Sequence, residues 1–145
     1  MSIRIQQEIF DPWGALSSYE SEALDQSGAK IGATAVFVGS MRDFNQDASV
    51  IAMTLEHYPG MTEAYLEKIS AEARSRWSIQ DSLIVHRFGP IVPGEPIVLV
   101  AAWSAHRDAA FSACRYLIDE LKHRAPFWKQ EKTAAGVRWV EQEKG

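Results

Sequence analysis

Apolar and polar positions follow each other along the chain with periods that divide it into strands and helices. Ile3 and Ile5 alternate with polar neighbours, the pattern of a short strand. Asp11-Pro12 supplies an N-cap followed by proline at the first helical position, predicting a helix to about Ala23. Ile31 to Gly39 is rich in apolar and β-branched residues and reads as a strand. Met41 to Ser49 is a polar loop and Val50 to Tyr58 a second strand, so the pair is expected to form a long-looped hairpin. After the Pro59-Gly60 turn, Met61, Tyr65, Ile69, Ala73 and Trp77 recur every four residues and give a helix an apolar stripe. Leu83 to Phe88 is another strand, and Pro90 to Pro96 a turn region. Ile97 to Trp103 is almost wholly apolar, as expected of a central strand buried on both faces. Phe111, Cys114, Ile118, Leu121 and Ala125 mark a third helix, which Pro126 stops. Val137 to Val140 reads as a last short strand.

The order β-α-β-β-α-β-β-α-β, with hairpins, predicts an α+β fold with a mainly antiparallel sheet. There is no repeat, low-complexity tract or linker-like run, and 145 residues suit a single domain spanning 1–145. No apolar run approaches the ~20 residues that span a bilayer. The first residues lack the apolar stretch of a secretory signal. Cys114 is the one cysteine, so no intrachain disulfide and no Cys-rich zinc site can form. These features predict a cytoplasmic protein that does not bind membranes.

Charge adds a local detail. The net charge of −4 argues against a nucleic-acid binder. Between His106 and Lys132, however, six Lys/Arg face four acids, so this segment carries +2 on an acidic chain. Such an island suits an anionic small molecule or an acidic partner tail, and equally an ordinary uneven surface.

Candidate chemistry concentrates in the same segment. His106 and Arg107 fall where a buried strand hands over to a helix, where side chains and free helix N–H groups point into one crevice. The same pair could instead serve structure, Arg107 by pairing with an acid and His106 by bonding a loop. Lys122 lies in the last turn of the third helix, where the helix dipole alone would favour it. Lys129 lies beyond Pro126 on an extended segment, with Phe127 and Trp128 expected to pack that segment onto the body. Arg42 enters the polar loop after the Ile31–Gly39 strand, and an Arg there can clamp a phosphate bidentately. The four histidines show no two-His metal spacing, and no G-x-S-x-G, phosphate loop or Cys-x-x-Cys occurs. No metal and no cofactor is expected.

An ordered set of stretches resembles the large-subunit family of molybdopterin synthases. They are Gly32-Ala33 leading to Phe37-Val38-Gly39 and Arg42, then Leu55-Glu56-His57-Tyr58-Pro59-Gly60-Met61-Thr62-Glu63. His86-Arg87, Gly89, Pro93-Gly94-Glu95, Ser104-Ala105-His106-Arg107 and Ala110-Phe111 follow, then Asp119, Leu121-Lys122 and Ala125-Pro126-Phe127-Trp128-Lys129. The resemblance implies an α/β-hammerhead with an added, mainly antiparallel sheet. It implies a homodimer that becomes a heterotetramer with a small ubiquitin-like sulfur carrier, whose C-terminal Gly-Gly thiocarboxylate threads into the pocket. The implied substrate is cyclic pyranopterin monophosphate, which receives two sulfurs while its cyclic phosphate opens. Lys122 and Lys129 match the family's catalytic lysines; Ser40, Met41, Arg42, His106, Arg107, Gln130 and Glu131 match substrate-binding positions. Ser40-Met41 stands where a basic residue and a Val are common, and Gln130 where a second basic residue is frequent.

The residues leave two other readings. One is a module that binds a carrier or phosphorylated molecule without chemistry, against which the retention of both lysines speaks. The other is a phosphoester hydrolase using His106 as acid/base, for which the chain offers no metal site or nucleophile.

Overall fold

The protein is described by a computed structural model covering residues 1–24 and 29–140. Its elements are β1 (Ser2–Gln6), α1 (Pro12–Ala23), β2 (Ala33–Ser40), β3 (Phe44–Asn45), β4 (Ala48–His57) and α2 (Met61–Arg76). They continue as β5 (Ile79–Arg87), β6 (Gly89–Ile91), β7 (Pro96–Ser104), α3 (Arg107–His123), β8 (Phe127–Thr133) and β9 (Gly136–Val140). The class is α+β, as the pattern predicts. One sheet runs β1-β5-β7-β2, and only its β1–β5 pair is parallel. The other runs β3-β4-β8-β9, with β6 also paired to β4. No described helix is long and apolar enough to cross a membrane.

Strand β7 organises the first sheet. Leu99, Ala101 and Trp103 pack with Tyr19, Leu16 and Ala15 of α1, while Val98, Val100 and Ala102 pack in the cluster that holds α2 and α3. Burial on both faces is why its sequence shows no alternation. Each fully buried Leu or Val of this strand contributes roughly 1.5–3 kcal/mol. On the α1 side, Trp103 Nε1 donates to Glu20 Oε2 at 3.1 Å and the Tyr19 hydroxyl to Asp81 Oδ2 at 2.5 Å, so the polar handles of both rings are satisfied. Asp11 accepts from the Trp13 N–H and caps α1 as its sequence predicts.

Helix α3 returns along β7 and β2. Ala110, Ala113, Cys114, Leu117, Ile118 and Leu121 form its buried stripe, and the small residues let the helix lie close to the sheet. Gly32 marks the tight point: a Cβ there would sit 2.2 Å from the Ala105 carbonyl oxygen, so no larger residue fits without moving backbone. Past the end of α3, Ala125 is buried and Phe127 enters the second sheet.

Four expectations change. The predicted hairpin does not form: β2 pairs with β7, whereas β4 pairs with β3, β6 and β8. The chain leaves one sheet at Ser40 and enters the other, and the buried Met41 marks the crossing. The segment after Pro126 is a full strand, β8, central between β4 and β9. The stripe of α2 is rotated: Thr62, Leu66, Ile69, Ser70 and Ala73 are buried, while Met61 is 62% exposed. Phe111 is 67% exposed and lies off the buried face of α3.

The two sheets meet at the end of β5. The His86 ring stacks on Phe127 with centroids 3.9 Å apart and planes inclined by 16°. Its Nδ1 lies 2.7 Å from the Arg87 carbonyl, which can only accept, so Nδ1 carries the proton. Burial, assisted by the charge of Lys122, lowers the His86 pKa from 6.5 to about 4. The unfolded chain therefore binds a proton near pH 6.5 that the folded chain refuses until about pH 4. Stability should fall as pH drops through that window, by up to about 1.4 kcal/mol per pH unit from this group. Urea unfolding of the wild type and His86→Gln at steps from pH 7 to 4 measures it. The stability difference between them should shrink steadily with falling pH; a difference independent of pH would show that His86 titrates normally in the fold.

Candidate active site

The residues singled out in the sequence fall into two groups at opposite ends of α3. His106 is the N-cap of the helix and Arg107 its first residue. The Ser104 hydroxyl donates to the His106 carbonyl and tightens this turn. Both residues are exposed, and neither side chain has an ion pair or hydrogen bond to the described residues. The alternative in which Arg107 pairs with a nearby acid is therefore not what the fold provides. Lys122 lies fifteen residues along the helix. At ~1.5 Å per residue this puts it roughly 22 Å from Arg107.

The far end of the helix gathers the other cations. Ser40, the last residue of β2, is registered with Pro96 at the start of β7, whereas Ala33 pairs with Ser104 beside His106. Arg42 thus leaves the sheet at the Pro96 end. His86 pairs with Val98 at that same end and stacks on Phe127, the first residue of β8. Lys122 is near enough to His86 for its charge to act on the ring. Arg42, Lys122 and Lys129 consequently lie toward the same end of the fold, near the seam between the sheets, whereas His106-Arg107 of the same chain lies at the other end.

Strand β8 sorts its residues by face. Phe127, Lys129 and Glu131 share the inner face, registered against His57, Leu55 and Met53 of β4. Gln130 points to the opposite face with Trp128, whose ring meets Tyr58 edge-on at 4.5 Å. Phe127 packs into the core as expected, whereas Trp128 is exposed. Lys129 owes its position to strand pairing on both sides, not to aromatic anchoring.

Glu131 is only 3% exposed and forms the polar centre of this face. Arg138 reaches it through Nη2 at 3.0 Å and Nε at 3.2 Å, and Asn45 Nδ2 donates to both its oxygens at 3.0 and 3.2 Å. Arg138 also donates to the Asn45 carbonyl at 2.7 Å. The Lys129 ammonium stands 4.0 Å from the same carboxylate. A buried carboxylate with this many donors is satisfied, and it holds a cation at the rim of the seam. Asn45 and Arg138 escaped the sequence reading. The signal was the cross-strand pair Glu131–Arg138, visible once β8 and β9 are read as a hairpin.

Two histidines line the floor. His57 Nδ1 is 3.0 Å from Thr62 Oγ1, whose own proton goes to the Tyr58 carbonyl at 2.8 Å. His57 therefore donates through Nδ1, as His86 does. The rings of His57 and His86 lie 6.0 and 3.9 Å from that of Phe127. The arrangement provides cations around a floor of packed rings, a setting in which an anion is held more strongly than in water.

Met41 is buried in the core, and its backbone bonds to the turn before β7: its N–H to the Glu95 carbonyl at 2.9 Å, its carbonyl to the Gly94 N–H at 2.8 Å. Ser40 and Arg42 on either side are exposed, and Arg42 has no ion pair or hydrogen bond to the described residues. Cys114 donates weakly to the Val100 carbonyl at 3.7 Å, and burial pushes its thiol up to about 11. No described cluster of three or more His, Cys, Asp or Glu is placed to hold a metal.

Comparisons with known proteins identify the family and the fold. The family model described as "MoaE protein" matches residues 12–124. A molybdopterin synthase catalytic subunit from Pseudomonas aeruginosa is 55% identical over 141 residues, covering 97% of this chain and 91% of the relative. Among solved structures, the molybdopterin biosynthesis MoaE protein from Burkholderia ambifaria superposes with a TM-score of 0.80 at 47% identity, covering 99% of this chain and 90% of the other. Molybdopterin synthase from Staphylococcus aureus superposes with a TM-score of 0.83 at 29% identity, with 96% of each chain covered. With a family model spanning most of its length and a relative identical at more than half of the aligned positions, the chain belongs to the MoaE family.

Proposed function

We propose that this chain is the catalytic subunit of molybdopterin synthase, moving sulfur from a thiocarboxylated, ubiquitin-like carrier onto cyclic pyranopterin monophosphate. The observation that carries the reading is the gathering of Arg42, Lys122 and Lys129 toward one end of the fold, near the seam. Substrate phosphate and carrier thiocarboxylate are both anions, and cations placed in advance lower the cost of bringing them together. In each of two transfers the thiocarboxylate sulfur forms a C–S bond to a side-chain carbon as a C–O bond at that carbon breaks. The oxygen leaves with the opening cyclic phosphate, which stays on the chain as a monoester, in one transfer, and as water in the other. Water then cleaves the carrier's C(O)–S bond, releasing the carrier as a carboxylate and leaving the sulfur on the pterin. A Gly-Gly tail suits such a seam because it carries no side chains to clash.

Lys122 stabilises the charge developing at the carrier's terminal carbonyl and the attacked substrate carbon. Lys129, paired with the buried Glu131, orients the phosphate or pterin. Ser40, Met41, Gln130 and Glu131 complete the surroundings, Gln130 from the outer face of β8. His106 and Arg107 belong to the reading through a second copy of the chain. A ~22 Å gap exceeds the reach of any side chain, whereas a two-fold dimer can bring one protomer's His106-Arg107 to its partner's seam. The sulfur comes from outside the chain, since its one thiol is buried and far from thiolate at neutral pH.

Three measurements test this with purified carrier in thiocarboxylate form. In single-turnover sulfur transfer, Lys122→Ala should lose at least about 100-fold in rate while both ligands still bind. Lys129→Ala should lose rate and also weaken precursor binding. A near-normal rate for Lys122→Ala would leave that lysine a helix-end cation only. Chains carrying Lys122→Ala and Arg107→Ala, each inactive alone, should complement when mixed into dimers, recovering up to about a quarter of wild-type activity because half the dimers are mixed and each has one intact site. No recovery would place the whole site in one protomer. Cys114→Ala, finally, should keep full turnover; loss of activity in a folded variant would mean that the chain carries sulfur itself.

A further inference from the structure

Arg87 lies beside His86 at the end of β5 and is 4% exposed, yet its position among the sulfur-transfer residues is indirect. Its guanidinium binds three separate stretches of chain. Nε donates to the Gln7 carbonyl at 3.1 Å, just past β1. Nη2 donates to the Pro90 carbonyl at 3.4 Å, in β6 of the second sheet. Nη1 donates to the Pro96 carbonyl and to Glu95 Oε1, each at 3.4 Å. The same Glu95 oxygen accepts from the Val92 N–H at 2.8 Å and so closes the Val92–Glu95 turn on itself.

That turn is what Met41 rests on. Its Glu95 carbonyl and Gly94 N–H make the two backbone bonds to Met41 described above. Arg42 follows immediately, exposed and with no side-chain hydrogen bond or ion pair to the described residues. The chain of contacts therefore runs from the buried guanidinium, through the Glu95 carboxylate and the turn's backbone, to the residue that presents a cation at the seam.

We propose that Arg87 and Glu95 are positioning residues for substrate binding, a buried clasp whose turn holds Met41 and thereby aims Arg42 at the substrate phosphate. The proposal rests on the function proposed above, with Arg42 among its anion-binding cations and taking the substrate phosphate. An exposed arginine searches many rotamers, and fixing the backbone on its N-terminal side lowers what must be ordered when the phosphate arrives. Arginine suits the clasp because its planar fork can serve several carbonyls and a carboxylate at once, which an ammonium cannot.

The experiment is a double-mutant cycle in the complete synthase, read by calorimetric binding of cyclic pyranopterin monophosphate and by single-turnover rate at saturating precursor. Glu95→Ala should weaken precursor binding about tenfold, the size of one lost charge-assisted hydrogen bond. The saturated rate should stay within about twofold, because the chemistry at Lys122 is untouched. In an Arg42→Ala background the same change should alter affinity by less than about twofold, since its effect passes through Arg42. Glu95→Gln keeps an oxygen for the Val92 N–H and should give an intermediate loss; it serves if Glu95→Ala fails to fold. Arg87→Lys should resemble Glu95→Ala. A tenfold loss that persists in the Arg42→Ala background, or none in the wild-type background, overturns the clasp. If Arg42→Ala alone leaves precursor affinity unchanged, the phosphate reading of Arg42 has failed and the clasp falls with it.

Discussion

The seam between the two sheets is fastened by two consecutive residues, His86 and Arg87. Both end up buried at a strand terminus, and each reaches across to the other sheet: His86 by stacking on Phe127 of β8, Arg87 by bonding Pro90 of β6. Neither contact is cheap. The imidazole must remain neutral to sit there, and the guanidinium must find an acceptor for each buried N–H. The fold meets both demands with backbone carbonyls, at Arg87 for His86 and at Gln7, Pro90 and Pro96 for Arg87. Everything at the candidate site is placed relative to that seam. Lys129 stands two residues beyond Phe127 on the same strand face, Lys122 ends the helix above it, and Arg42 follows the crossing at Met41.

Much of the fold was legible because ordinary periodicity describes most of it. The Asp11-Pro12 start of α1, the doubly buried β7 and the stop of α3 before Pro126 all follow from local chemistry that tertiary contacts left alone. The failures have particular causes. A hydrophobic strand announces that it will be buried but not which strand it will pair with, so β2 and β4 looked like a hairpin while belonging to different sheets. Strand β8 was hidden because its inner face reads Phe127, Lys129, Glu131, Thr133; two of its four inward positions are charged, and a hydrophobic pattern cannot register them. The stripe of α2 drifted because a strict four-residue repeat turns about 40° further around a helix at every step. After three steps Met61 and Ala73 are no longer on one face.

The same cause links the missed strand to the site. The residues that break the hydrophobic pattern of β8 are those with chemical work available to them, Lys129 at the rim and Glu131 beneath it. Resemblance could name both positions, but nothing in the sequence said that Glu131 is fully engaged by Arg138 and Asn45. Its carboxylate works through the cation it holds. Lys129, expected on an extended segment held by Phe127 and Trp128, is instead fixed by strand pairing on both sides. Lys129 faces a buried carboxylate, and an ammonium paired in that way is suited to orienting an anion. Lys122 lies close enough to His86 for its charge to oppose protonation of the ring.

The length of α3 imposes the remaining constraint. The helix spans the full height of the sheet because its buried stripe from Ala110 to Leu121 follows β7, which is itself buried from Ile97 to Ser104. Shortening it would uncover the strand, so the ~22 Å between its ends is set by the core and not by the site. No rotamer change closes such a gap. If the three cations at one end and the His-Arg pair at the other act on one substrate, as proposed above, they are two half-sites on a rigid rod. A second copy related by a two-fold axis would meet this constraint without bending anything, since it would present the opposite end of an identical rod. On that proposal, symmetry would give two equivalent sites from one kind of chain, each with its chemistry on one protomer and part of its anion binding on the other.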